Sequence, residues 1–332
     1  MQGLPYSVRT EREDGHDVYV LEDRAARSQA WVAPDLGLNV YRFSIERAGE
    51  DVAILDPPPL LGDLAADPAG YGLPILFPFP GRIPGGLVRY GGREYQIQPH
   101  TAGLGCAHGF VLDRAWQVEA TGKSAHEGAE LVGRLESADY PELAEQWPST
   151  FRLEARLSLR AGTLAVYLRA QNTGRDPLPV GCGLHPYLRA PLSATSSAGG
   201  CLVSLPVTRR WELQDLVPTG RLLPLAEDWA VGVGLEGRIG DDVYTGVLAE
   251  QGSSRAVLSD TALGLAVVVE ADLGFRHWVF YTPPRPAVCL EPWTCVPNAV
   301  NLQQQGVETG LIVLAPGEAQ LWTVRVTVRE LG

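Results

Sequence analysis

The chain has 332 residues, of which 45% are hydrophobic and 20% are charged, so it can bury a sizeable core and is not a disordered chain. Its net charge of −12 opposes non-specific binding to nucleic acid or to anionic membranes. The length fits two average domains or one large all-β domain. Lys123 is the only lysine and lies in a polar loop, which excludes most lysine-based covalent catalysis.

The first part of the chain lacks the apolar segment of a signal peptide, and no apolar run approaches the ~18 residues that span a bilayer. We therefore expect a cytoplasmic protein with no membrane partner. The five cysteines form no Cys-x-x-Cys pair, so neither a zinc knuckle nor a disulfide framework is expected. We expect these cysteines to be buried as small apolar residues.

Strand patterns dominate the chain from its N-terminal part onward. Short strands are predicted in eight segments rich in β-branched and aromatic residues, namely 18–21, 30–33, 39–45, 94–98, 116–119, 243–248, 265–270 and 277–281. Gly91 and Gly92 lie between two apolar segments and predict a tight hairpin turn.

The clearest alternation of apolar and polar residues lies in the middle of the chain. Apolar residues take every second position in the segment 151–159, and polar residues lie between them. A turn at residues 161–162 leads into a second alternating segment, 164–170, so the two predict a hairpin with one buried face. The same alternation returns in residues 322–328.

Helical candidates are few and short. They are residues 60–66 and residues 141–147, where Pro141 can occupy the first helical position. Many strands separated by glycine and proline favour stacked antiparallel sheets over alternating β-α units. No repeat, low-complexity tract or linker divides the chain, so we predict one all-β domain over residues 1–332.

A glutamate near the C-terminal end is the first candidate for chemistry. Glu291 follows the apolar run 287–290 and precedes Pro292, which lacks a backbone N–H and holds the residue before it extended. Glu291 is therefore predicted to end a strand, where a carboxylate can act as a general base or anchor a polar ligand. The alternative is an ordinary charge that faces water.

Two histidines and two aspartates have neighbours that favour a site. His108 lies among small residues (GCAHGF), which let a ligand or backbone approach closely. His185 is followed by proline and is therefore extended, and Asp241 and Asp242 begin a predicted strand after a glycine. Taken singly, each histidine can equally be a satisfied core or surface group.

The remaining candidates are weaker. No function is expected of three histidines in polar, loop-like segments, His16, His100 and His126, and the role of His277 in its predicted strand stays open. No ligand spacing indicates a metal site. The glycine-rich segment 80–86 lacks the ending of a phosphate-binding loop, so nucleotide binding is not expected. Arg82 in this segment can equally be a surface residue.

Taken together, these segments resemble the aldose 1-epimerase family, also called galactose mutarotases. The matching pieces occur in family order, in residues 72–83, 108–116, 185–187, 241–244 and 291–294. The resemblance runs over most of the chain and implies a single β-supersandwich domain built of large antiparallel sheets. It also implies no cofactor and a small sugar as the substrate, with no nucleic acid or membrane as a partner. The sequence carries no indication of the oligomeric state.

The resemblance further implies roles for five residues. Glu291 would be the general base of ring opening and His185 the general acid. His108 would bind the ring oxygen or a neighbouring hydroxyl of the substrate, and Arg82 and Asp241 would orient the other hydroxyls. Three aromatic residues are candidates for stacking on the sugar, although each could equally belong to the core, namely Trp293, Trp278 and Phe79.

Three departures and ambiguities refine this interpretation. The segment 108–110 has the compact bacterial form. Val111 and Leu112 stand where hexose-6-phosphate relatives usually carry an arginine that holds phosphate, which favours an unphosphorylated sugar. The aspartate match is ambiguous by one residue, and the spacing to the following aromatic residue favours Asp241 over Asp242.

We therefore expect an aldose 1-epimerase that acts on a free hexose or pentose. Each positioned acid or base would contribute ~10²–10⁴-fold to the rate, and an unperturbed histidine titrates near 6.5, suited to proton donation at neutral pH. Two alternatives on the same fold stay open, a non-catalytic carbohydrate-binding protein and a hexose-6-phosphate 1-epimerase. A third is a glycoside hydrolase with Glu291 and Asp241 as its carboxylate pair.

Overall fold

The computed structural model describes residues 3–100 and 103–331, and strands make up most of its regular structure. Five consecutive strands at the N-terminal end form an antiparallel meander. They are β1 (Tyr6–Glu13), β2 (His16–Asp23), β3 (Ser28–Ala33), β4 (Asn39–Arg47) and β5 (Glu50–Ala53). The three strands predicted in this part of the chain are confirmed.

A short helix and a separate hairpin follow the meander. The elements are α1 (Leu61–Ala66), β6 (Ile75–Leu76), β7 (Leu87–Tyr90) and β8 (Arg93–Gln96). Gly91 and Gly92 join the hairpin strands with φ values of 58° and 77°, and a two-residue turn with both φ values positive matches the strand twist. The predicted helix and the predicted hairpin turn are both confirmed.

The alternating segments in the middle of the chain form long paired strands. They belong to the run β9 (Gln117–Ser124), β10 (Gly128–Glu136), β11 (Phe151–Arg160) and β12 (Thr163–Asn172). Leu153, Ala155 and Leu157 are fully or almost fully buried, whereas the polar residues between them are partly exposed. The predicted hairpin with one buried face is therefore confirmed.

The described residues from 178 to 331 add fourteen more strands and one α-helix. The first eight strands are β13 (Leu178–Val180), β14 (Gly183–Leu184), β15 (Tyr187–Arg189), β16 (Cys201–Ser204), β17 (Arg209–Gln214), β18 (Val217–Pro224), β19 (Val233–Gly234) and β20 (Asp241–Thr245). The remaining elements are β21 (Ser253–Asp260), β22 (Leu265–Asp272), β23 (His277–Tyr281), β24 (Ala287–Trp293), α2 (Ala299–Gln304), β25 (Ile312–Leu314) and β26 (Ala319–Glu330).

Two large sheets contain most of these strands. A nine-stranded sheet has the order β19-β16-β21-β22-β26-β12-β11-β10-β9, and an eight-stranded sheet has the order β18-β17-β20-β23-β24-β14-β6, with β15 also paired to β24. Neighbouring strands run antiparallel in both sheets. The all-β prediction with large antiparallel sheets is confirmed, and no helix in the described part of the chain is long and apolar enough to cross a membrane.

Strand β24 extends further than predicted, past Glu291. Glu291 was predicted to end a strand, but the strand continues through Pro292 to Trp293. Pro292 pairs with Trp278 on one side, and on the other side the neighbour of β24 changes from β15 to β14 at this point. Proline is tolerated where a ladder is interrupted, so the strand extends past it.

Three shorter elements also differ from their predictions. Strand β20 ends at Thr245, because Gly246 turns the chain with a φ of 66°. The predicted helix at 141–147 is a 3₁₀ helix, Pro141–Glu145. Helix α2 was not predicted, and it follows Asn298, whose left-handed backbone redirects the chain.

One hydrophobic cluster joins residues from the N-terminal meander and from both large sheets, including Leu21, Leu157 and Leu290. Such a shared core is what one domain requires, and the single-domain organisation stays a prediction. All five cysteines are free, and four of them are buried as expected, whereas Cys106 is half-buried.

Candidate active site

A cavity of about 210 Å³ lies on one face of the eight-stranded sheet. Successive side chains of a strand point to opposite faces, so the cavity is lined by alternate residues of neighbouring strands. These are Asp241 and Val243 of β20, Val279 and Tyr281 of β23, and Glu291 and Trp293 of β24. The strand register places Asp241 opposite Tyr281 and Val279 opposite Glu291.

Loops complete the walls of this cavity. All five residues that the sequence analysis assigned to the site line it, namely Arg82, His108, His185, Asp241 and Glu291. Asp67, Tyr187 and the tip of the β17–β18 hairpin also line it. The structure thus brings the five residues together, and their individual roles stay predictions.

Glu291 and His185 form a buried pair in this cavity. Glu291 is 1% exposed and His185 is 6% exposed. Glu291 Oε1 lies 3.4 Å from His185 Nε2, and Glu291 Oε2 accepts a hydrogen bond from Trp293 Nε1 at 3.0 Å. Among the described residues, neither Glu291 Oε1 nor His185 Nδ1 has a hydrogen-bond partner. Both side chains therefore retain free bonding capacity inside the cavity.

Burial determines the protonation states of Glu291 and His185. It raises the pKa of Glu291 well above the usual carboxyl range, and the charge of Asp241 adds to this, whereas the Trp293 hydrogen bond opposes it. Burial also lowers the pKa of His185 well below 6.5, with His108 and Arg285 acting in the same direction. The expectation of an unperturbed histidine is therefore wrong. A carboxylic acid next to a neutral imidazole is the form that this environment favours.

Tyr187 fixes the orientation of His185. The two rings are stacked with centroids 4.6 Å apart and an interplanar angle of 3°. Behind Tyr187, the guanidinium carbon of Arg285 lies 4.7 Å from the phenol ring, and Arg285 Nε donates to Asp56 Oδ2 at 2.6 Å. Tyr187 lies in the matched segment 185–187 but was assigned no role, and Arg285 was not singled out, because nothing local marks a residue that acts through such a stack.

The loop that carries His108 is held by backbone contacts. Gly109 has a φ of 80°, and a Cβ there would lie 2.0 Å from the carbonyl oxygen of Phe77, so only glycine fits this approach. The His108 N–H donates to the Gly81 carbonyl at 2.8 Å, and the Gly81 N–H donates to His108 Nδ1 at 3.3 Å. Since Nδ1 accepts a hydrogen bond, the ring proton of His108 is on Nε2.

The electrostatic surroundings keep the imidazole of His108 neutral. Burial lowers its pKa to about 3, and the positive charges of Arg82 and His100 act in the same direction. A neutral imidazole with its proton on Nε2 is a hydrogen-bond donor near neutral pH. Such a donor suits an oxygen of a bound ligand.

His100, to which no function was assigned, supports this loop. Its Nε2 lies 2.8 Å from the Gly109 carbonyl oxygen, and its Nδ1 lies 2.8 Å from Asp113 Oδ2. Burial by itself would lower the pKa of His100, but the hydrogen bond and charge of Asp113 together with the carbonyl groups of Gly109 and Ala107 outweigh burial and raise the pKa. The only sequence signal was its closeness to His108 in the chain.

Arg82 and Asp241 supply charged groups to the cavity. Arg82 forms no hydrogen bond or ion pair within residues 3–100 and 103–331, so its guanidinium is available to a ligand. Burial raises the pKa of Asp241, and the charge of Arg82 partly offsets this. Asp242 does not line the cavity and lies 3.5 Å from Arg210 Nη1. The geometry therefore favours Asp241 over Asp242 as the cavity residue.

The aromatic candidates separate into cavity and core. Trp293 lines the cavity, whereas Trp278 is fully buried in the core and donates to Ser254 Oγ at 3.2 Å. Phe79 stacks on Trp147 with centroids 5.2 Å apart and also belongs to the core.

His277, whose role was left open, is held by structural hydrogen bonds outside this cavity. Its Nε2 lies 3.2 Å from the Thr309 carbonyl oxygen, and its Nδ1 accepts a hydrogen bond from Trp211 Nε1 at 3.4 Å. Both ring nitrogens are therefore engaged, which indicates a structural histidine.

The sequence profile of the aldose 1-epimerase family matches residues 28–327. The chain is 26% identical over 261 residues to YphB of Escherichia coli (strain K12), a match that covers 74% of this chain and 79% of that protein. It is 36% identical over 126 residues to YihR of the same organism, a match that covers 36% of this chain and 37% of YihR.

Solved structures share the fold. A galactose mutarotase-like protein from Clostridium acetobutylicum superposes with a TM-score of 0.88 at 20% identity, covering 98% of this chain and 99% of that one. The Slr1438 protein from Synechocystis sp. PCC 6803 superposes with a TM-score of 0.75 at 23% identity, covering 99% of this chain and 100% of that one. The fold implied by the sequence resemblance is confirmed.

Proposed function

This chain belongs to the aldose 1-epimerase family, and we propose that it interconverts the α and β anomers of a free hexose or pentose. The observation that carries the proposal is the buried pair of Glu291 and His185, with 3.4 Å between Oε1 and Nε2. Anomer interconversion requires a proton to leave the anomeric hydroxyl while another reaches the ring oxygen. A carboxylate and an imidazole in contact provide a base and an acid for these two transfers.

One proton shared by the pair is sufficient for the reaction. Burial favours the proton on Glu291 before the sugar binds. Its transfer to His185 Nε2 produces a carboxylate and an imidazolium without changing the net charge of the site. This form has the same proton count as the neutral pair, so no proton has to come from solvent.

Ring opening then proceeds by two proton transfers. The Glu291 carboxylate takes the proton of the anomeric hydroxyl, and the imidazolium of His185 gives its proton to the ring oxygen. The bond between C1 and the ring oxygen breaks and C1 becomes an aldehyde carbon. Rotation about C1–C2 and the reverse transfers close the ring on the other face. The pair regains its starting proton count at the end of each cycle.

The other cavity residues support a neutral sugar as the substrate. His108 offers an N–H donor, Asp241 offers acceptors, and the unpaired Arg82 offers further donors for hydroxyl groups. Arg82 is the only arginine or lysine that lines the cavity in the described part of the chain. Val111 and Leu112, where a phosphate-binding arginine would stand in the phosphosugar relatives, are fully or almost fully buried.

A polarimetric screen tests the proposal. Freshly dissolved α-anomers of galactose, glucose, xylose and arabinose are followed to their equilibrium rotation with and without the protein. At least one of them should equilibrate faster with the wild-type chain and not with Glu291→Gln. No acceleration for any of the four sugars contradicts the proposal. A marked preference for a sugar 6-phosphate contradicts the free-sugar part, and release of new reducing ends from an oligosaccharide indicates a hydrolase instead.

A further inference from the structure

A cysteine lies next to the Glu291–His185 pair. Cys289 is two residues before Glu291 in β24, so the two side chains share one face of the sheet. The register places Cys289 between Tyr187 of β15 and Tyr281 of β23, the two tyrosines that line the cavity. The thiol therefore lies next to the residues of the cavity wall, and Cys289, which does not itself line the cavity, is fully buried.

Three different ligand types meet at this point. His185, Cys289 and Glu291 each offer one ligand atom, and the three atoms lie within 4.8 Å of one another. Glu291 Oε1 lies 3.4 Å from His185 Nε2, is buried and has no hydrogen-bond partner among the described residues. Buried polar atoms are normally satisfied, so an unpartnered oxygen in a cluster of this kind points to a ligand that satisfies it.

We propose that His185, Cys289 and Glu291 form a binding site for a thiophilic divalent cation of the Zn²⁺ class, and that an ion bound there excludes the sugar. Zinc is bound by cysteine sulfur, histidine nitrogen and carboxylate oxygen, and three protein ligands leave a fourth position that faces the cavity. The deprotonated thiol and carboxylate together carry two negative charges, which match the charge of the ion inside a buried site.

The metal ion and the sugar compete for the same side-chain atoms of Glu291 and His185. A metal ion held by Glu291 and His185 removes both the base and the acid, so it inhibits anomer interconversion. The thiol and the carboxyl group must lose their protons when the metal binds, so binding releases protons and becomes tighter as the pH rises. Hard cations such as Mg²⁺ prefer oxygen ligands in octahedral geometry and do not suit this set.

Titration calorimetry on the chelator-treated chain tests the binding directly, with ZnCl₂ as the ligand and MgCl₂ as the comparison. We expect one zinc ion per chain, proton release and no magnesium binding. Cys289→Ser should weaken zinc binding by at least about 100-fold, because loss of a second-shell partner of a ligand already costs about 10- to 100-fold. Cys106→Ser, which alters the most accessible thiol, should bind zinc like the wild type.

Cobalt provides a measurement that needs no variant of Cys289. Co²⁺ bound to the wild-type chain should show the sulfur-to-cobalt charge-transfer absorption of a thiolate ligand, and its absence contradicts the proposal. Equal zinc affinity in Cys289→Ser, or loss of zinc binding in Cys106→Ser, also overturns it.

The blocking of the sugar rests on the proposed function and is measured separately by polarimetry. Zinc should inhibit the wild type competitively, and the rate of Cys289→Ser with zinc should stay close to that variant's own rate without zinc. Zinc binding without any mutarotase activity would contradict the proposed function and leave the metal site standing. Mutarotase activity without zinc binding would contradict the metal site and leave the proposed function standing.

Discussion

The imidazole of His185 and the phenol ring of Tyr187 lie parallel at a centroid distance of 4.6 Å, and Arg285 supports the tyrosine from its other side. The stack holds the acid of the proposed reaction in place, because His185 has no hydrogen bond to Nδ1 within the described residues. Aromatic packing therefore replaces the hydrogen bond that usually orients a catalytic imidazole.

We expect Tyr187→Leu to lower kcat by about 10- to 100-fold, because small misplacements of a catalytic group cost rates of this size. Tyr187→Phe keeps the ring and should retain most of the wild-type rate. Polarimetric kcat values for both variants provide the comparison. Similar losses in both variants would show that the hydroxyl group, and not the stack, matters.

Replacement of the proposed base should separate catalysis from binding. Glu291→Gln keeps the size of the side chain but cannot accept a proton, so kcat should fall by about 10²- to 10⁴-fold while sugar affinity changes little. His185→Asn should depress turnover in the same way. Calorimetric sugar binding and polarimetric rates measure the two properties on one sample, and wild-type rates in Glu291→Gln would refute the assignment.

The pH dependence of kcat/KM should reflect the shifted pKa values of Glu291 and His185. The pair is active while it holds one proton. Activity is lost at acidic pH when His185 also takes up a proton, so that the pair holds two, and the pKa of His185 lies well below 6.5. Activity is lost at alkaline pH when Glu291 gives up the proton of the pair, and the pKa of Glu291 lies well above 4.5. We expect no decline of kcat/KM centred at 6.5 on acidification. A midpoint near 6.5 would show that His185 titrates as an exposed histidine.

The two adjacent aspartates provide a matched pair of variants. Asp241 lines the cavity, whereas Asp242 lies beside Arg210 away from it. Asp241→Asn should raise KM by about 10-fold, corresponding to one charge-assisted hydrogen bond of about 1.5 kcal/mol, and Asp242→Asn should leave KM unchanged. Initial rates as a function of sugar concentration decide between them, and the reverse pattern would assign the binding role to Asp242.

His277 should contribute to acid destabilisation of the fold. Burial lowers its pKa to about 4, so it stays neutral in the fold while the unfolded chain binds a proton below about 6.5. The free energy of unfolding should therefore fall by up to about 3 kcal/mol between pH 6.5 and 4 from this residue, with no further loss below pH 4.

Urea unfolding of the wild type and of His277→Gln at both pH values measures this contribution. The variant should lose less stability on acidification than the wild type, even if it is less stable at pH 6.5. His126→Gln is the control, because the side chain of His126 is 91% exposed. Equal acid losses in the wild type and in His277→Gln would contradict the prediction.

Local patterns predicted many of the strands because the periodicity of burial is visible in the residues themselves. The alternation in 151–159 and 164–170 corresponds to β11 and β12, and the paired glycines 91 and 92 correspond to a hairpin turn. Prediction was wrong where a proline or glycine was interpreted without its neighbours, as at Pro292, which lies within β24 because the ladder is interrupted there.

The sequence by itself determined the strand-rich fold and, through ordered motifs, five of the residues that line the cavity. Only the tertiary structure decided what surrounds them. The 3.4 Å contact of Glu291 with His185, the stack on Tyr187 and the nearby thiol of Cys289 depend on strand register between distant segments. The protonation states of Glu291 and His185 depend on burial. Burial is produced by all the neighbours of a residue together and cannot be read from a local stretch of sequence.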